Sequence, residues 1–435
     1  MRYGILLIAA ALLAAGARGQ SSAEVNAGTD YNFGSPGARS LGVGGAFIGI
    51  ADDATAAYTN PAGLLNITRP QFAAEGRGWS FTNFYSDHGH AFGPPTGQGV
   101  DNTSGISQAS TTRNAGNLSF ASFVYPRRRW SVGFYRHDLA HFRASAETQG
   151  IFLNLPGEGP VPIRFFPSRS NLDLSVVSHG ASLAVGITDS LFAGVTLTRQ
   201  WLRLDSVTTR YAIDNGKLYE PPSYANVVNV QEQHGRDTQY AMNAGLLWAA
   251  TSRFTLGLIY RQGSSFAVDV SSKAIDGTKL DKRGRFSIPS VFGLGMAYRP
   301  AEDGLTILSV DIDRVGYSRL TKGFAALFGE TKAYRVDDGT EIHVGFERLL
   351  LSLNPKSYRG SHPVSVRLGT WLEPDHRLRY TDPNDPQAVL FRPGKAQYHV
   401  SGGFGVGLAR NYGLDGAYDY SRGQRVISLS LAASY

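Results

Sequence analysis

The chain has 435 residues, of which 42% are hydrophobic and only 18% charged, with 51 glycines, 11% aromatics and a formal net charge of +7. That length fits two or three ordinary soluble domains or one large barrel, and the charged fraction is low for a soluble enzyme of this size. Cysteine is absent, which excludes disulfides, cysteine metal sites and thiol chemistry, and the scattered basic residues (Arg127-Arg128-Arg129 is the only tight run) exclude a nucleic-acid partner.

Residues 1–19 read as a secretory signal. Arg2 gives the positive start, Ile5 to Ala15 an apolar run too short to cross a bilayer as a helix, and Ala17 and Gly19 the small residues of a cleavage site. The mature chain is expected to start at Gln20, outside the cytoplasm. Residues 20–69 are dense in Gly, Ala and Thr, as in ADDATAAYTNPAGLLN at 51–66. Asp52 or Asp53 is placed to cap a short helix through Tyr58, Pro61 to end it, and Gly63 to permit a tight exit.

From about residue 70 the period is two. In YHVSGGFGVGLA, Tyr398, Val400, Phe404, Val406 and Leu408 share one face, and His399, Ser401, Gly403, Gly405 and Gly407 the other. In EIHVGFE, Ile342, Val344 and Phe346 oppose Glu341, His343, Gly345 and Glu347. The less greasy face is mostly Gly, Ser and Ala, which suits a crowded interior better than a solvated exterior. Strands are expected near 70–85, 115–126, 129–147, 170–188, 190–212, 236–250, 252–274, 283–300, 304–320, 338–352, 361–377, 394–409, 411–421 and 424–435. Short turns at Asp189-Ser190, Thr251-Ser252 and Arg410-Asn411 alternate with long stretches rich in Gly, Pro and Asn, among them 86–114 and 148–170. These features point to an all-β transmembrane barrel of 14 antiparallel strands over residues 70–435. Such a barrel is too wide for its own side chains to fill. Residues 20–69 are therefore expected to fold inside it as a hatch, with room left by glycines 293, 295, 403, 405 and 407.

Two apolar loops are candidate landing sites for a greasy ligand. One carries Phe152, Leu155, Phe165 and Phe166, the other Phe324, Leu327 and Phe328, and Arg164 and Arg169 lie near enough to meet a ligand carboxylate. Packing of the loops on one another to close the mouth is the alternative. On the inward face, Asp311, Asp313, Glu341, His343, Glu347 and Arg367 fall on neighbouring strands and are expected to pair in a network that tethers the hatch. His137 and His141 of HDLAH would lie roughly 13 Å apart on a strand, too far for one metal. His88 and His90 lack the remaining ligands. No Ser/His/Asp constellation is identifiable, so neither metal, cofactor nor enzyme activity is expected.

ARSLGVGGAFIGIADDATAAYTNPAGL resembles the N-terminal hatch of the FadL-type long-chain fatty-acid transporters, whose hatch mark is the triplet Asn60, Pro61, Ala62. IPSVFGLGMAYRP and the closing GGFGVGLARNYGLDGAYDYSRGQRVISLSLAASY resemble that family's later strands. The resemblance implies a bacterial outer-membrane location, a fourteen-strand barrel plugged by the hatch, and passive uptake of fatty acids or hydrocarbons. It also implies sideways release at a kink in the third strand. Here that strand is WSVGFYRHDLAHFRASAETQ, whose only glycine is Gly133. Expected partners are a hydrophobic small molecule, outer-membrane lipid and lipopolysaccharide, with the chain acting as a monomer. A barrel that serves as a scaffold for secretion or for anchoring surface proteins is the competing expectation.

Overall fold

A bare N–H or C=O finds no partner in lipid and costs several kcal/mol there, so a sheet that crosses a bilayer has to close on itself. The chain closes in this way in a computed structural model that describes residues 35–435 apart from 155–161, 166, 215, 323–333, 351–362, 383–387, 389–390, 392–393 and 410. The expected leader and residues 20–34 lie outside the described residues.

Fourteen antiparallel strands run round the barrel in sequence order. They are β1 (Gln71–His90), β2 (Gly105–Pro126), β3 (Trp130–Thr148), β4 (Ser168–Gly186), β5 (Leu191–Tyr211), β6 (Val227–Ala249), β7 (Phe254–Arg261, resumed at Ser265–Ala274), β8 (Lys279–Ser287, resumed at Val291–Tyr298), β9 (Thr306–Val315), β10 (Gly339–Leu350), β11 (Val364–Glu373), β12 (Gln397–Ala409), β13 (Tyr412–Tyr420) and β14 (Gln424–Ser434). β1 closes the ring on β14 from Gln71↔Ser434 to Phe81↔Gln424. The connections at 127–129, 187–190 and 250–253 share one rim, and the described parts of the longer ones at 91–104, 149–167 and 212–226 share the other.

Alternation decides which side chains meet lipid. Leu197, Leu368 and Val400 point outward and are 67, 64 and 61% exposed, whereas Thr196 and Thr198 beside Leu197 are buried. Holding one such aliphatic side chain in water forgoes about 1.5–3 kcal/mol, so an outer surface built this way is stable only against lipid.

β1, β2 and β6 reach further than their sequences announce. A loop expected at 86–114 shrinks to 91–104, and β6 begins at Val227 rather than near 236. Their outer ends, as in GISQASTTRNAGN at 105–117, are polar on both faces. Water on both sides removes the alternation that marks a strand.

Residues 35–67 lie against the inner wall as helix α1 (Ala38–Gly42), helix α2 (Ala56–Thr59) and a 3-10 turn, Pro61–Asn66. Neither Asp52 nor Asp53 caps α2, whose N-cap is Thr55 without a side-chain bond; Asp53 instead shapes the turn before it, its Oδ1 accepting from the Thr55 N–H at 2.9 Å and its carbonyl from Ala56. Pro61 begins the 3-10 turn as well as ending α2, because Asn60 caps it, with Oδ1 accepting from Ala62 N–H at 3.2 Å.

The wall is glycine where this segment comes closest. A Cβ at Gly369 would lie 2.1 Å from Gly44 N, one at Gly194 2.4 Å from Ala62 N, and one at Gly257 2.5 Å from Ile48 O. Of the five glycines expected to make room, 293, 295 and 403 face the segment, while 405 faces Arg367 and Asp415, and 407 faces Pro363.

Candidate functional site

The inner surface has two zones. The lower zone seats residues 35–67 on polar groups. Asn60, completely buried, donates through Nδ2 to the carbonyls of Ile48 and Leu246, each at 3.1 Å. Pro61 and Ala62 beside it are also buried.

Arg39 links Asp52 (2.6 Å) to Glu347 (3.0 Å), and Arg367 links Glu347 (3.2 Å) to Asp415 (2.6 Å). The Ile48 N–H donates to Asp311 Oδ2 at 2.7 Å, and His343 Nδ1 meets Gly44 O at 2.7 Å. Asp313 and Glu341 stand beside His343. The six charged positions singled out from the sequence thus gather on one stretch of wall, with Glu347, Asp311 and His343 touching the segment directly.

The upper zone is apolar. On β4 and β5 the alternation inverts. Leu172, Leu174 and Val176 point inward, Leu174 and Val176 opposite inward Leu204 and Leu202, while Asp173, Arg203 and Asp205 point outward. Those outward charges pair with one another and with strands beside them: Arg143 to Asp173 (3.0 Å), Arg203 to Asp205 (3.1 Å) and His234 to Asp205 (3.0 Å). A row of charges on the outer face shows that the strands have left the hydrocarbon at this level. Inside, Phe266, Val268 and Phe286 continue the band on β7 and β8, and a Cβ at Gly235 would touch Leu202 and Val268. The same apolar cluster reaches Trp79, Phe81, Phe120, Leu139 and Phe142 on β1, β2 and β3.

At β3 the wall is interrupted. β2 pairs with β1 along nearly its whole length, from Val124 to Ile106, but with β3 only from Pro126↔Ser131 to Phe120↔His137. β3 keeps its pairing with β4 out to Thr148↔Ser168, yet skips Leu139 between Asp138↔Val177 and Ala140↔Val176. One extra residue makes a bulge and bends the strand away from its neighbour. Beyond it β2 and β3 are joined by side chains: Asn117 to Asp138 and His141, Arg136 to the Leu118 carbonyl, Arg113 to Ser145 at 3.0 Å, and Thr111 to the Ser145 carbonyl. Behind this seam Trp79 stacks on His141 (5.9 Å, 5°) and Phe81 meets Phe142 edge-on at 5.1 Å. The apolar band therefore runs up to the break.

Gly133 is not at this break. It lies in the paired part of β3, opposite Val124, and faces Ala57 and Leu64 of the N-terminal segment. A bulge needs no glycine, so the strand's only glycine is a poor marker of where it bends. Phe134 points outward before the bulge and Phe142 inward after it, yet both are even-numbered, so the apolar residues keep one parity along the sequence and the extra residue leaves no local sign.

At the mouth, Phe152 is fully buried in a short strand, Gly150–Leu153, which runs parallel to the end of β1. Its ring stacks between His90 and Tyr219. Arg164 lies over the same ring and donates to the carbonyls of Gln149, Leu218 and Glu220, so its guanidinium ties the 149–167 and 212–226 connections together. Arg169 is exposed and pairs with Glu147 at 2.8 Å. Phe165 is half-buried against the apolar cluster. Leu155, Phe166, Phe324, Leu327 and Phe328 lie outside the described residues.

No protein-family model and no curated protein matches this sequence. Solved structures do match. The toluene transporter TbuX of Ralstonia pickettii superposes with a TM-score of 0.57 at 16% identity, covering 93% of this chain and 99% of that one. A FadL homologue of Pseudomonas aeruginosa gives 0.60 at 15% identity, covering 90% and 97%. The toluene transporter TodX of Pseudomonas putida gives 0.55 at 15%, covering 93% and 99%. In fold, the chain is a closed fourteen-strand antiparallel transmembrane barrel of the FadL type.

Proposed function

We propose that this chain is a bacterial outer-membrane channel for hydrophobic small molecules, which pass through it down their concentration gradient. Residues 20–69 act as its hatch, held by the Asn60, Pro61, Ala62 turn and by the charged wall around Glu347. The ligand enters beside the loop that carries Phe152 and Phe165, moves onto the inner apolar band, and leaves sideways where β2 and β3 part.

One observation carries this reading: an inward-facing apolar band, lying at a level where the outer face is charged, ends at a break in the wall. A barrel made to pass hydrophilic solutes gains nothing from a greasy interior, whereas a greasy solute gains about 25 cal/mol for each Å² of apolar surface it removes from water. Toluene-like molecules are chosen for the test because the similarly folded proteins include toluene transporters and the monoaromatic hydrocarbon channel CymD.

The test is uptake of radiolabelled toluene and oleate by cells that carry the chain in their outer membrane. Uptake well above that of cells lacking the chain is expected for at least one of the two. Rates equal to the empty control for both, with the protein present and folded, would sink the proposal.

A further inference from the structure

We propose that Asp313, Glu341 and His343 form a divalent-cation site that fastens the N-terminal segment to the wall made by β9 and β10. The inference goes beyond the channel reading and does not rest on it. Antiparallel pairing sets Asp313 opposite Glu341 and Asp311 opposite His343, all four pointing into the barrel. One donor atom from each of Asp313, Glu341 and His343 lies within 4.8 Å of the other two. Donors around a tetrahedral zinc at ~2.0–2.2 Å stand roughly 3.3 Å apart, so small side-chain rotations bring this trio to ligating distance.

The trio is oriented from outside, as metal ligands are. His343 Nδ1 is 2.7 Å from the Gly44 carbonyl. A carbonyl only accepts, so Nδ1 carries a proton, and in the neutral ring the lone pair falls on Nε2. Nε2 is sealed from solvent without a hydrogen bond, 3.5 Å from Glu341 Oε2. The Tyr317 hydroxyl holds the other oxygen, Glu341 Oε1, at 2.5 Å. Asp313 Oδ1 and Asp311 Oδ1 are likewise sealed with no hydrogen-bond partner among the described residues. The Arg261 guanidinium stands near Asp313, yet His343 Nε2, Asp313 Oδ1 and Asp311 Oδ1 keep no hydrogen bond, and a cation relieves a nitrogen and carboxylate oxygens left in that state. One imidazole with carboxylates suits a first-row divalent ion such as Zn²⁺ better than Mg²⁺ or Ca²⁺. The clamp follows from the second contacts: Gly44 is held by His343, and Ile48 N–H by Asp311.

The rival occupant is a proton, which would turn His343 into an imidazolium between the same carboxylates. To separate the two, the purified full-length chain is stripped with a chelator and titrated with Zn²⁺ and with Co²⁺, whose visible absorption reports its ligands. The expected result is one ion per chain, with binding abolished in Asp313→Asn/Glu341→Gln and unchanged in Asp205→Asn on the outer surface. Tyr317→Phe, which alters orientation alone, is expected to weaken binding by about 10- to 100-fold. Heat-dependent gel migration shows whether each barrel is folded. Should the double variant not fold, Tyr317→Phe and Glu341→Asp decide the matter, and unchanged affinity in both overturns the proposal. The proposal is also overturned by no saturable binding, by binding that survives in a folded double variant, or by an imidazolium ¹⁵N signature at His343 with zinc in excess.

Discussion

Asn60 and Leu246 are 186 residues apart in sequence, yet Asn60 Nδ2 donates to the Leu246 carbonyl at 3.1 Å and, with its second hydrogen, to Ile48 at the same distance. One amide thereby joins two parts of the N-terminal segment to the barrel wall, while its oxygen caps the turn that begins at Pro61. The nearest wall residue on β6 is Gly245, where a Cβ would sit 2.2 Å from Asn60 Oδ1. Asn60→Ala removes both donors and the cap and leaves buried carbonyls unpaired. It is expected to weaken docking of residues 35–67 by about 2–4 kcal/mol. Hydrogen exchange checks this: amides of the segment should exchange roughly 30-fold faster or more, those of the strands at unchanged rates. Equal protection in variant and parent would show that the amide does not hold the segment.

The glycine wall gives an independent test of the same seat. At Gly369 and Gly194 an added methyl meets backbone nitrogen, which cannot swing aside as a side chain can. Gly369→Ala and Gly194→Ala should each cost about 1–3 kcal/mol through overpacking. Gly413→Ala, also on a strand but with nothing within 4 Å of the new carbon, is the control. Conductance across planar bilayers is the measurement. The two seat variants are expected to leak ions more often than the control, and a leak in the control alone would contradict this seating.

How much of this was legible depended on what each face of a strand meets. Where one face meets lipid and the other the packed interior, the period of two is clean, and Ile342, Val344 and Val400 announce themselves. Where both faces meet water, as along residues 105–117, the sequence is silent and the strand reads as loop. The apolar band was written in plain view at NLDLSVV and LRLD, but as an inversion: taking the greasy face as always outward hides it. The Asp313, Glu341, His343 trio is hidden for another reason. Its members come together only through the register of β9 on β10, across 28 residues of chain, and no local spacing records that.

The break between β2 and β3 follows from one surplus residue, Leu139, which β3 carries unpaired against β4. Deleting Leu139 restores the count, lets Asp138 and Ala140 follow in register, and should allow the ladder with β2 to extend past Phe120↔His137. The barrel should remain folded and gain a few backbone hydrogen bonds, each worth about 0.5–1.5 kcal/mol. If the break is the exit, uptake of a hydrophobic substrate falls at least tenfold although substrate still binds. Uptake at the parent rate in a folded deletion variant would place the exit elsewhere.

Leu174 and Leu204 face each other across β4 and β5, both completely or almost completely buried within the band, and neither touches lipid. This allows the lining to be made polar without altering the surface that holds the protein in the membrane. In Leu174→Asn/Leu204→Asn two aliphatic contacts for a ligand are lost, and amide groups that favour water take their place. Forgoing contact with one Leu side chain costs an apolar ligand about 1.5 kcal/mol or more, and each 1.4 kcal/mol is tenfold in affinity. The double variant is therefore expected to bind a toluene-like or acyl-chain ligand at least a hundredfold more weakly, with the same heat-dependent migration as the parent. Equilibrium binding of a fluorescent fatty-acid analogue in detergent measures the effect. A loss of less than about threefold would mean that the ligand does not rest on this band, and that the inverted alternation of β4 and β5 serves packing between strands instead.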